Sequence, residues 1–101
     1  MTVDPLDPVI HAPARLQIMT TLIEALTDAD EITFPALQKL LGMTSGNLTT
    51  HLAKLEAAGY VRSEKSFTGR KPVTRVAVTG EGRDAFRSYR RSLLDLLGGH
   101  S

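Results

Sequence analysis

Thr44-Ser45-Gly46-Asn47-Leu48-Thr49-Thr50-His51-Leu52-Ala53-Lys54-Leu55 is the stretch whose reading decides the fold. At helical spacing Leu48, Leu52 and Leu55 fall at i, i+4 and i+7, one apolar stripe. The opposite face carries Ser45, Asn47, Thr50 and Lys54, mostly short polar side chains, most of which both donate and accept hydrogen bonds. A surface helix with a merely solvated face has the same period, so the flanking residues have to decide between the two.

Upstream, Glu31-Ile32-Thr33 is a short β-like segment. Thr33 is placed to cap a helix, and Pro35 suits that helix's first turn. The helix spans Phe34 to Leu41 and is expected to bury Phe34, Leu37, Leu40 and Leu41, and Gly42 ends it. Met43 leads to Thr44, a second N-cap. Two helices joined by a short turn containing Gly make a helix-turn-helix, here over about 34–58, with Gly59 closing its second helix. Downstream the period changes. Residues 60–67 are extended with loose alternation, and Thr74, Val76 and Val78 share one face of a second strand. Between them Thr68-Gly69-Arg70-Lys71-Pro72 reads as a hairpin turn with two cations at its tip, and Pro72 belongs at a strand start or edge.

At the N-terminal end, Asp7 and Pro8 suit a single helical turn within residues 4–10. Pro13 starts a long helix in which Leu16, Met19, Ile23 and Leu26 recur at 3-4-3 spacing. Ile18 and Leu22 widen that stripe beyond what a small domain readily covers, which points to a dimer contact. The helix fades at Thr27-Asp28-Ala29-Asp30. At the other end Thr79 caps a helix over about 80–97, with Glu81 in its first turn. Phe86, Tyr89, Leu93 and Leu96 repeat at 3-4-3 spacing, Leu94 and Leu97 lie beside them, and Gly98-Gly99 stops the helix. The candidate dimer interface is Leu16, Met19, Ile23, Phe86, Tyr89, Leu93 and Leu96.

At 101 residues the chain is expected to be one domain, 1–101, with a modest aliphatic core. Absence of cysteine removes a disulfide framework and a thiolate metal site, which fits a reducing compartment. The N-terminus lacks a basic region followed by an apolar run, and no apolar stretch is long enough to span a bilayer, so the expected location is the cytoplasm. Net charge is only +1. Its distribution says more: residues 1–60 balance at −4 and residues 61–101 at +5, an asymmetry that suits a polyanion-facing side. There is no nucleophile–base–orienter trio, Gly-rich phosphate loop or metal-spaced His/Glu set, so no catalytic residue, metal or other cofactor is expected. His11, His51 and His100 are scattered along the chain.

Helix, helix-turn-helix and basic-tipped hairpin together form the winged-helix layout, an α+β fold that is mainly α. The chemistry suits double-stranded DNA. The second motif helix offers polar side chains to base edges in the major groove. The hairpin tip offers Arg70 and Lys71 to phosphates or the minor groove, and helix amides near Thr44 and Ser45 can hold a phosphate.

These residues also carry a family resemblance over nearly the whole chain. Residues 44–61, from Thr44 to Val61, resemble the recognition-helix segment of small bacterial winged-helix regulators related to the MarR and ArsR families. Lys65–Thr74 resembles their wing, Val78–Phe86 the entry into their last helix, and Asp7–Met19 the start of one compact subgroup of winged-helix DNA-binding domain proteins. The resemblance implies a homodimeric transcription factor on a roughly palindromic operator, dimerised through its first and last helices. It implies groove-facing roles for Ser45, Gly46, Asn47, Thr50 and His51. The candidate DNA-binding set is Thr44, Ser45, Gly46, Asn47, Thr50, His51, Lys54, Lys65, Arg70 and Lys71. The chain lacks the Cys pair of metal-sensing relatives and is shorter than typical MarR proteins, whose ligand pocket lies between domains.

Several readings stay open on the sequence. His51 faces either DNA or a local packing partner. Asn47 either reads adenine or bonds its own first turn. Arg83, Arg87, Arg90 and Arg91 fit a solvated or dimer-rim face better than a DNA contact. A winged helix can also serve as a protein-interaction module without reading DNA. An unidentified small-molecule effector at the dimer interface is a third partner to consider.

Overall fold

The structure, a computed structural model, describes residues 6–27 and 30–98. Readings that fall on Asp4, Asp28, Ala29, Gly99 and His100 lie outside the described residues. Four helices and three strands follow in the order α1 (Pro13–Ala25), β1 (Ile32–Thr33), α2 (Phe34–Leu41), α3 (Ser45–Ala57), β2 (Val61–Thr68), β3 (Lys71–Val78) and α4 (Gly80–Leu96). No helix among the described residues is long and apolar enough to cross a membrane.

The helix ends are set by the residues the sequence offers for that purpose. Thr33, Thr44 and Thr79 each sit in extended backbone and accept a hydrogen bond from a first-turn amide, on Ala36, Asn47 and Gly82 respectively. Gly42 ends α2 in the left-handed region at φ 65°, its N–H on the Gln38 carbonyl. At the end of α3, Gly59 takes φ 82°, with Gly59 N–H on Glu56 O and Tyr60 N–H on Leu55 O, both 2.9 Å. That pair of bonds is a Schellman closure, and it turns the chain from helix into wing.

The core is aliphatic, as expected, but Leu40, expected among the buried residues of α2, is 61% exposed, turned aside from the face that Leu37 and Leu41 bury. Ile18, Met19 and Leu22 of α1, Leu37 of α2, and Leu48 and Leu55 of α3 have no exposed surface. The α3 stripe of Leu48, Leu52 and Leu55 therefore faces inward as a unit, which fixes the polar face outward. Two corrections concern α1 and α4. Met19 and Tyr89, expected at a dimer interface, are 0% and 3% exposed and belong to the protomer's own core. The face of α1 that enters the core is Ile18-Met19-Leu22-Leu26; Leu16 and Ile23 stay at its edge, half-buried. The N-terminal segment also contributes more than a turn. Ile10 is fully buried, Tyr60 Oη donates to Asp7, and His11 Nδ1 lies 2.9 Å from Tyr89 Oη.

The expected two-stranded hairpin is part of a three-stranded sheet, ordered β1-β3-β2. β1 pairs antiparallel with β3 at Ile32↔Val76 and Thr33↔Arg75. Thr33 thus ends a strand and caps α2 at once, tying the base of the wing to the helix-turn-helix. Beyond β1 the wing is a free two-stranded ribbon in which Pro72 opposes Phe67 with no strand on its other side, a place where the missing N–H is tolerated. The turn is tighter than the five residues expected. Thr68 pairs with Lys71, leaving Gly69-Arg70 as a two-residue loop. Gly69 has φ 65° and no described non-glycine residue has positive φ, the pattern of a II′ turn. Arg70 alone occupies the tip, and Lys71 is the first residue of β3.

Candidate nucleic-acid interface

α3 presents an exposed row made of Ser45, Gly46, Asn47, Thr49, Thr50, Ala53 and Lys54. Its first turn is partly satisfied from within: Asn47 N–H bonds Thr44 Oγ1 at 3.1 Å and Leu48 N–H bonds the Thr44 carbonyl at 3.0 Å. Ser45 and Gly46 N–H groups have no intrahelical partner, as the first amides of a helix do not, and they open to solvent at its positive end. Nothing lies within 4 Å of where a Gly46 Cβ would sit, and its φ is not positive, so packing does not demand glycine there. What the missing side chain does supply is close approach of another molecule to the backbone.

Thr50 Oγ1 donates to the Gly46 carbonyl at 3.0 Å, so outward it offers lone pairs and a methyl group. His51 is half-buried, with Nδ1 3.3 Å from an Arg15 guanidinium nitrogen. Arg has donors only, so this bond makes Nδ1 the acceptor and puts the ring proton on Nε2. Arg15 is itself held by the Val9 carbonyl through Nε and the Pro8 carbonyl through a terminal nitrogen. Sequence reading did not single out Arg15. The only signal for it was its place at the start of α1, which says nothing about a partner 36 positions away. With Lys54, Arg15 lines a shallow hollow beside the C-terminal half of α3.

On the other flank of α3 a cleft of about 410 Å³ separates the helix from the wing. Thr49, Leu52, Ala53 and Glu56 line one wall, Ser63, Lys65 and Thr74 another, and Phe34 its end. Lys65 therefore looks across at α3 rather than standing alone on the ribbon. Wing charges differ in how committed they are. Arg62 pairs with Glu64 at 3.4 Å, and Arg75 Nε donates to Ser66 Oγ at 3.4 Å. Among the described residues Lys54, Lys65, Arg70 and Lys71 form no ion pair. All four are exposed, on α3 and on the wing beside it. Arg83 and Arg87 are engaged elsewhere, on the Leu26 carbonyl and on Asp84.

A second, separate groove of about 390 Å³ runs between α1 and α4. It is lined by Leu16, Thr20, Ile23, Glu24, Phe86, Tyr89, Arg90 and Leu93. Beyond it Leu94, Leu96 and Leu97 are 43%, 59% and 71% exposed. No group of three or more His, Asp or Glu side chains suited to a metal occurs among the described residues.

The winged helix DNA-binding domain family matches residues 14–97. The chain belongs to that family. Its relatives include an uncharacterised HTH-type transcriptional regulator, YcgE of Bacillus subtilis, 34% identical over 76 residues, which are 72% of this chain and 49% of YcgE. The chain thus spans about half the length of that relative. An uncharacterised protein of Methanocaldococcus jannaschii, MJ0432, is 40% identical over 63 residues, 62% of this chain and 68% of its own. Among solved structures, a transcriptional regulator homologue from Pyrococcus horikoshii superposes with a TM-score of 0.76 at 34% identity, covering 90% of this chain and 86% of that one. An ArsR family regulator (TM-score 0.57, 20% identical, 92% of this chain and 87% of that) and the MarR family regulator AbsC of Streptomyces coelicolor (0.57, 23%, 79% and 57%) share the fold. The fold is thus one shared with ArsR and MarR family regulators, and the family to which the chain belongs is one of winged helix DNA-binding domains.

Proposed function

We propose that the protein is a cytoplasmic, homodimeric, sequence-specific transcriptional regulator, with α3 in the major groove and the wing tip on the backbone or minor groove of double-stranded DNA. The observation that carries this reading is the pairing of two surfaces: the polar outer row of α3 and, beside it, Lys54, Lys65, Arg70 and Lys71, four cations with no ion pair among the described residues. Thr44, Ser45 and Gly46 supply backbone amides to a phosphate, Asn47, Thr50 and His51 meet base edges, and Lys54, Lys65, Arg70 and Lys71 meet the backbone. A C2 dimer would set the two α3 helices about 34 Å apart, one turn of B-DNA. The α1–α4 groove and exposed Leu96 support that dimer, with Leu16, Ile23, Phe86 and Leu93 as contacts and Met19 and Tyr89 backing them from the core. An effector, if the protein has one, has this groove as its place.

The test is a fluorescence-anisotropy titration against labelled DNA from upstream of the protein's own coding region, repeated at several salt concentrations. Specific binding gives a steep negative log–log salt slope and weaker binding to scrambled DNA. No binding even at low salt removes the regulator reading and leaves a protein-interaction module.

A further inference from the structure

Phe67 is 71% exposed, whereas Phe34 and Phe86 both pack against the core. Its strand register says which way it points. Phe67 opposes Pro72 on the same wing face as Lys65↔Thr74, Ser63↔Val76 and Val61↔Val78. Val61, Val76 and Val78 are buried, and farther out Ser63, Lys65 and Thr74 line the cleft with α3. Phe67 and Pro72 continue that surface beyond the end of the cleft, where Pro72 borders a hollow with Phe34 and Pro35 while Phe67 lines neither the cleft nor that hollow. Phe67 lies four residues past Ser63, about 13 Å along the strand, comparable with the ~12 Å width of a major groove. An apolar ring at this position is flanked by Lys65, Arg70 and Lys71, none of which forms an ion pair among the described residues.

An exposed aromatic with one uncommitted cation on its own face, Lys65, and two more at the adjoining turn, Arg70 and Lys71, matches the minor groove of a duplex, where two phosphate rows flank sugars and base edges. We infer that Phe67 is an apolar wedge that enters the minor groove beside the α3 site and packs against a base step. Lys65, Arg70 and Lys71 hold the flanking phosphates while it does so. Side chains of this type partly unstack a step and kink the duplex. The wedge selects flexible pyrimidine–purine steps such as TA, so Phe67 adds a preference that the α3 side chains do not read. This rests on the DNA-binding reading above.

Four variants test it on the full chain. Phe67→Ala is expected to weaken binding to a 30-bp duplex with a central TA step about ten-fold while leaving the salt slope unchanged, because no charge is removed. Phe67→Leu, which keeps an apolar wedge, falls between the two. Arg70→Ala lowers the slope by about 1 instead. The chain has no Trp, so Phe67→Trp carries the one tryptophan at the wedge, excited apart from Tyr60 and Tyr89. Its emission is expected to fall on saturation with the duplex and to hold on saturation with heparin, a polyanion without bases. Phe67→Ala binding within two-fold of the unaltered protein, or equal emission with duplex and heparin, overturns the wedge and leaves DNA binding standing. Failure of the unaltered protein to bind the duplex at low salt overturns both. High exposure of Phe67 keeps these variants folded, which a thermal melt of each verifies.

Discussion

Two glycines only 36 positions apart stand for opposite reasons. A Cβ on Gly82 would sit 2.1 Å from the Tyr60 carbonyl oxygen, a backbone atom that has no room to yield. Gly82→Ala is expected to cost at least about 2 kcal/mol, read by urea denaturation. A Cβ on Gly46 would meet nothing within 4 Å. Gly46→Ala should stabilise the protein by up to about 1 kcal/mol and yet weaken DNA binding, because the new methyl group stands where a phosphate approaches. A variant that gains stability without losing affinity would remove Gly46 from the interface. Tyr60 adds a pH signature. Its hydroxyl donates to Asp7, and that bond, together with burial and the Asp7 and Glu81 charges, pushes its pKa up to about 12 from 10.0. The folded state favours the neutral phenol, so this contribution is whole below pH ~10 and is lost as pH rises through about 12. Chemical denaturation from pH 9 to 12 should show a smaller alkaline loss of stability in Tyr60→Phe than in the unaltered protein.

At the scale of elements, what was legible was local. Thr33, Thr44, Gly42, Gly59 and Thr79 act within four residues of themselves, so their capping roles could be read directly. The leucine stripe of α3 was legible for the same reason: its period is internal to the helix. What escaped depends on distant partners. The β-like character of Glu31–Thr33 could be read, but not its pairing with β3, more than 40 positions later, which makes it the third strand of the sheet. Met19 and Ile23 share one helix stripe, and only packing shows that Met19 turns inward. His51 gained a hydrogen-bond partner from α1, and Phe67 drew no notice until the register showed its face. The wing itself makes a prediction at this scale. Changing both Arg70 and Lys71 to Ala should weaken binding to every DNA sequence and reduce the salt slope by about 2, since both side chains are exposed and form no ion pair among the described residues. An unchanged slope in anisotropy titrations would take the wing off the backbone.

Across the whole molecule, shape and surface both argue for a second copy. The Cα radius of gyration is 14.7 Å, against about 13 Å for a compact chain of this length, and the extents are 57 × 26 × 21 Å. So elongated a body covers its helices poorly. α4 reaches the core through Gly82 and Tyr89, with Phe86 and Leu93 packed at its edge, while Leu94, Leu96 and Leu97 face solvent. Exposed leucines at the end of a helix, continuous with an apolar groove, are what an isologous C2 contact would bury. Substituting Leu94 and Leu96 together by Glu should therefore leave the protomer's melting behaviour nearly intact, because neither side chain is in its core. In sedimentation the protein should shift from a dimer to a single chain of 11.0 kDa. Affinity for one half-site should hold, whereas affinity for a paired site should fall by about 10²–10⁴, the advantage that linking two α3 helices supplies. If the double variant still sediments as a dimer, the contact lies elsewhere on the protomer. If it is monomeric and keeps full affinity for the paired site, one copy of α3 and one wing suffice, and the 34 Å spacing of two recognition helices has no part in binding.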